Sequence, residues 1–77
     1  MVGQMKLQNQ VREIRLRMQL TQENLANKVG VTRQTIIAIE KGGYTPSVEL
    51  ALKLASVLQI AVEQLFWLDE DREVKPS

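Results

Sequence analysis

The segment from Gln22 to Lys41, Q-E-N-L-A-N-K-V-G-V-T-R-Q-T-I-I-A-I-E-K, admits very few arrangements in space. Leu25, Val29, Val31, Ile36 and Ile39 recur at the spacing that turns one apolar stripe inward from each of two short helices. Gly30 falls between them, where the chain must reverse, and glycine adopts the φ > 0 conformation that ends a helix at little cost. Ala26 faces the partner helix and is small enough to let the two axes cross closely at a steep angle. Bulk at Ala26 or Gly30 is therefore expected to break the corner.

Laid out at about 100° per residue, the second helix of the corner puts Ile36 and Ile39 on one side and Gln34, Ile37, Ala38 and Lys41 on the other. Thr32 precedes it and can cap it through its hydroxyl, which leaves Arg33 and Gln34 in the first turn. A helical corner packed on one face and bare on the other is a helix-turn-helix, and its bare face suits the major groove of double-stranded DNA. The arginine fork matches guanine O6 and N7, and the glutamine amide can both donate to and accept from adenine. Ile37 gains little by facing water but can meet a thymine methyl group.

Composition narrows the alternatives. A chain of 77 residues has room for one domain and a tail, with a core of modest size. It holds no cysteine and no histidine, which removes thiol nucleophiles, disulfides, a histidine base and the commonest zinc ligands. The isolated carboxylates form no paired arrangement, so no enzyme activity, metal or cofactor is expected. No apolar run is long enough for a membrane span, and Met1 to Lys6 lacks the apolar stretch of a secretory signal, so a cytoplasmic location is expected. The net charge of +1 is unevenly spread: residues 1–68 carry +3, whereas residues 69–77 carry −2. Phosphate contacts dominate DNA affinity, so this mildly basic unit should bind weakly as a monomer and depend on two subunits acting together.

Along the chain, residues 1–8 are expected to form an N-terminal arm, 9–68 the folded domain and 69–77 an acidic flexible tail. Asn9 can cap a first helix in which Val11, Ile14, Leu16 and Met18 supply apolar contacts, and Arg12, Arg15 and Arg17 make that helix basic. Lys41-Gly42-Gly43 ends the helix that bears Arg33. The loop from Gly42 to Pro46 offers Tyr44, whose ring can rest on a sugar-phosphate or cover the core with its hydroxyl left wet. Thr32, Lys41 and Tyr44 are thus candidate DNA-backbone contacts. Ser47 caps a fourth helix, with Glu49 in its first turn and Leu50, Leu54, Val57 and Leu58 in the core. The run from Ile60 to Leu68 reads as a last short helix in which Leu65 and Phe66 complete the core. Trp67 and Leu68 lie at the end of the domain, where an exposed apolar patch marks a dimer interface, although Trp67 can also fold back on its own domain.

The order of several blocks resembles the XRE family of helix-turn-helix proteins, the lambdoid phage repressors and Cro. These are L-T-Q-E-N-L-A at 20–26, V-G-V-T at 29–32, I-x-x-I-E-K-G at 36–42, P-S at 46–47 and L-A-L-K-L-A-S-V-L at 50–58. The resemblance implies an all-α, compact five-helix lambda-repressor-like domain with the helix-turn-helix at helices 2 and 3. It also implies that Gln22 contacts the DNA backbone, that Arg33, Gln34 and Ala38 face the bases, and that Arg15 pairs with Glu40. Gln22 and Gln34 match family residue types, whereas Arg33 and Ala38 stand at variable positions that carry a role but no base preference. Family members pair near the C-terminal end of the domain and set two reading helices about 34 Å apart on a palindromic site. Ala61 departs from the family, standing where a capping Ser or Thr is common, and Met5 is an alternative start. The expected function is a sequence-specific transcriptional regulator, a repressor that binds a palindromic operator as a homodimer. The alternative is an antitoxin or restriction-modification controller that binds a protein partner, for which the acidic tail is available, or regulates its own operon.

Overall fold

The computed structural model describes residues 5–70. In chain order it comprises β1 (Met5–Asn9), α1 (Val11–Arg17), α2 (Gln22–Val29), α3 (Arg33–Lys41), α4 (Val48–Leu58), α5 (Val62–Leu65) and β2 (Phe66–Glu70). The five helices follow from local chemistry. Thr21 accepts from the Asn24 N–H while the Asn24 side chain accepts from the Thr21 N–H, a reciprocal cap on α2. Thr32 accepts from Thr35 N–H at 3.3 Å and Ser47 from Leu50 N–H at 3.0 Å, capping α3 and α4. Gly30 (φ 78°) and Gly42 (φ 85°) close α2 and α3 in the left-handed region. Ala61 starts α5 with no side-chain cap, and this helix is only four residues long.

The all-α expectation needs correction, because β1 and β2 form a small antiparallel sheet in the register Met5↔Glu70, Lys6↔Asp69, Leu7↔Leu68, Gln8↔Trp67 and Asn9↔Phe66. Ile60 to Leu68 is therefore not one helix: the chain becomes extended at Phe66 (φ −128°, ψ 139°) and pairs with β1. The sheet runs past both limits set for the 9–68 unit, taking Met5 to Gln8 from the expected arm and Asp69 and Glu70 from the expected tail. The remainder of that arm (1–4) and of that tail (71–77) lies outside the described residues. A two-stranded sheet is marginal on its own. Here it is held by the buried Phe66, by Leu7 packed on the core, and by Gln10, whose N–H donates to Leu65 O at 3.1 Å and whose side-chain amide donates to Gln64 O at 2.9 Å.

One core gathers Val11 and Ile14 from α1, Leu25, Ala26 and Val29 from α2, Ile36 and Ile39 from α3, Leu50, Leu54, Ala55 and Leu58 from α4, then Leu65 and Phe66. Each fully buried leucine or isoleucine contributes about 1.5–3 kcal/mol by leaving water. Leu16 and Met18 do not join it; they are 49 % and 37 % exposed, because α1 turns Val11 and Ile14 inward, with Leu16 on another face and Met18 past its end. Asn9 belongs to β1 rather than to a helix cap position, which Gln10 occupies, yet its Oδ1 still accepts from Val11 N–H at 3.0 Å. No helix among the described residues is long and apolar enough to cross a membrane.

Candidate nucleic-acid interface

The corner formed by α2 and α3 is built as its sequence requires, with one difference in cause. An added Cβ at Gly30 meets nothing within 4 Å, so the glycine serves the positive φ of the reversal and not the space around it. Bulk is excluded instead at Ala26, which is 1 % exposed between the helices. Its carbonyl accepts from both Gly30 N–H and Val31 N–H, which locks the turn.

On α3, Ile36 and Ile39 are fully buried while Arg33 and Gln34 stand exposed in the first turn. Ile37 and Ala38 follow on the outer side, half-buried, and the exposed Lys41 ends the helix. These five residues recur at three- and four-residue intervals, so they lie along one stripe. The stripe presents a planar cation, an amide, an apolar patch and a second cation in that order. It therefore offers two hydrogen-bonding heads beside a methyl-sized hydrophobic surface, the donor and acceptor set that base edges complement in the major groove.

Behind the stripe lies an ion pair between α1 and α3. Arg15 is 6 % exposed; its Nε donates to Glu40 Oε2 at 2.7 Å, its Nη2 to Glu40 Oε1 at 3.2 Å and its Nη1 to Leu20 O at 2.9 Å. The pairing of Arg15 with Glu40, expected from the resemblance, is thus present as a two-pronged bond between α1 and α3. Gln22 adds a contact that sequence reasoning missed: its Nε2 donates to Glu40 Oε1 at 3.1 Å. One carboxylate consequently ties α1, the first residue of α2 and the last full turn of α3. With one N–H so engaged, the Gln22 amide keeps a second N–H and its oxygen for other partners.

The remaining candidates are more scattered. Thr32 is exposed, with its hydroxyl engaged by Thr35 N–H and 3.2 Å from the Thr35 hydroxyl. Tyr44 is 46 % exposed and borders a shallow hollow with Gly30, Val31, Ser47 and Lys53, so its ring is a surface feature and not a core filler. Trp67 and Leu68, 41 % and 57 % exposed, sit on β2, away in sequence from the α2–α3 corner; they point to opposite faces of the sheet, Leu68 sharing the face of the exposed Met5 and Trp67 lying across from Gln8. The alternation of Met5 and Leu7 with Lys6 and Gln8 was the signal that could have revealed β1 in the sequence. No cluster of acidic side chains that could hold a metal occurs among the described residues.

Comparison with known proteins bears on the fold and the family. Residues 11–65 match the family model described as Helix-turn-helix. The chain is 49 % identical over 65 residues to the HTH-type transcriptional regulator YgzD of Bacillus subtilis, covering 84 % of this chain and 98 % of that protein. It is 35 % identical over 57 residues to the cryptic phage CTXphi transcriptional repressor RstR of Vibrio cholerae, covering 74 % of this chain and 51 % of that one. Among solved structures, the restriction-modification controller protein C.AhdI of Aeromonas hydrophila superposes with a TM-score of 0.66 at 35 % identity, over 70 % of this chain and 82 % of the other.

Proposed function

The chain belongs to the helix-turn-helix family and is a DNA-binding transcriptional regulator of the XRE type, and we propose that it acts as a repressor, binding a palindromic operator as a homodimer. One observation carries this reading: Arg33 and Gln34 are exposed in the first turn of a helix whose opposite face, Ile36 and Ile39, is wholly buried. In that role α3 enters the major groove, Arg33 reads guanine, Gln34 reads adenine, Ile37 meets a thymine methyl, and Ala38 lets the helix lie close to the base edges. Gln22, Thr32 and Tyr44, outside this stripe, and Lys41 at its end serve the phosphates, which fix register without reading sequence. Trp67 and Leu68 form the contact between subunits. The likeness to RstR, itself a transcriptional repressor, favours repression, which follows simply from covering promoter DNA.

Selection of bound sequences from random duplex DNA tests the whole proposal. It is expected to return two inverted half-sites whose centres lie about one helical turn, roughly 34 Å, apart. An unpaired single site, or no enriched sequence, would overturn it. The likeness to C.AhdI supports a second reading, a controller of a restriction-modification operon that both activates and represses its own promoter. An adjacent restriction endonuclease gene and activation at low protein concentration would favour that reading.

A further inference from the structure

We propose that Asn9 is a positioning residue for DNA reading: its amide clamps the last turn of α3 to the β1–α1 corner and thereby sets the tilt at which Arg33 and Gln34 are presented. The inference rests on the DNA reading above and adds to it a residue far from the bare stripe.

Asn9 bridges three elements. It lies at the end of β1, opposite Phe66; its Oδ1 accepts from Val11 N–H at 3.0 Å, and its Nδ2 donates to Ile39 O at 3.0 Å, thirty residues away. The base from which it reaches is fixed. Phe66 and Val11 are buried, and the next residue, Gln10, is bonded through both its backbone and its side chain to the end of α5. The bond to Ile39 is not required to satisfy that carbonyl, which already accepts from Gly42 N–H at 3.0 Å in the closure of α3. A second donor on a satisfied carbonyl adds less to capping than to position. Glu40, the following residue, is gripped by Arg15 and Gln22. These attachments therefore hold the last turn of α3 from three elements, β1, α1 and α2, while the first turn, with Arg33 and Gln34, is tied only through the Gly30 reversal and the buried Ile36.

The lever is short but sufficient. Arg33 precedes Ile39 by six residues, which at 1.5 Å per residue is about 9 Å of helix. A tilt of about 10° at the clamp moves the backbone at Arg33 by roughly 1.5 Å, more than the tolerance of a hydrogen bond near 2.9 Å. Phosphate contacts adapt to such a shift far better than bidentate base contacts do, so the loss should fall on sequence discrimination.

The test compares Asn9→Ser with the parent protein on the selected operator and on unrelated duplex DNA of equal length. Serine can still accept from Val11 N–H but is too short to reach Ile39. A loss of folded protein lowers both affinities together and leaves their ratio unchanged, whereas misplacement of α3 lowers the ratio. We expect the ratio of specific to non-specific affinity to fall about five- to tenfold, the worth of one hydrogen bond. Asn9→Asp, which keeps the acceptor and loses the donor, serves as a second variant and should show the same fall. A ratio equal to the parent's in either folded variant overturns the assignment of Asn9 while leaving the DNA reading intact. A parent that itself prefers no sequence overturns the DNA reading, and this inference with it.

Discussion

The α2–α3 corner and the β1–β2 sheet are opposites in what they expose. The corner buries its isoleucines completely and presents Arg33, Gln34 and Lys41 to water, whereas the sheet presents Met5, Trp67 and Leu68. The first surface is stable when wet and gains from a partner that is itself polar and charged. The second leaves apolar area in water and gains only from an apolar partner. The apolar side chains of the sheet are divided between its faces, Met5 and Leu68 on one and Trp67, across from Gln8, on the other, so corner and sheet differ in chemistry and can be altered separately.

The largest effect should come from the tie behind the corner. Glu40→Ala strands the Arg15 guanidinium, whose side chain is 8 % exposed, and is expected to destabilise folding by about 3–5 kcal/mol, read as a fall in the denaturant midpoint. If the corner instead tolerated that change with little loss, the ion pair would not be what holds α3. Next in size, Trp67→Ala should weaken self-association by about 2 kcal/mol, roughly thirtyfold, with little change in monomer folding. Size-exclusion with light scattering reads it, and a variant as dimeric as the parent would remove the sheet from the interface. Arg33→Ala and Gln34→Ala should each cost about 1–3 kcal/mol of specific binding and relax one base position, while leaving thermal stability within about 0.5 kcal/mol because both side chains are exposed. Base preferences unchanged in both variants would move the reading face elsewhere. Smallest of all, Gln59→Gly should stabilise the fold by about 0.5 kcal/mol, since Gln59 closes α4 at φ 58°, where glycine is less strained.

The same contrast separates what could be read in the sequence from what could not. The corner was legible because its instructions are local: Thr21 and Thr32 cap, Gly30 and Gly42 reverse, and apolar residues recur every three or four positions between them. The exposed stripe on α3 follows directly from that spacing. The sheet is specified by partners some sixty residues apart, so neither strand announces itself alone. Phe66-Trp67-Leu68 is an apolar run that fits a helix end or a strand equally well until Met5 to Asn9 is placed beside it. Leu16 and Met18 misled because apolar side chains in and just after α1 do not by themselves say which face of the helix meets the core. The ties of Gln22 to Glu40 and of Asn9 to Ile39 join residues 18 and 30 positions apart, and no periodicity reports such bonds.

Antiparallel pairing of Met5 with Glu70 brings the chain into the domain and out of it at one spot. Attachments upstream of Met5 and downstream of Glu70 would therefore leave the domain from neighbouring points on the sheet. It also means that a short linker from position 70 back to position 5 would turn the domain into a ring. New termini could then be opened in the exposed stretch from Gly42 to Thr45, leaving every helix whole.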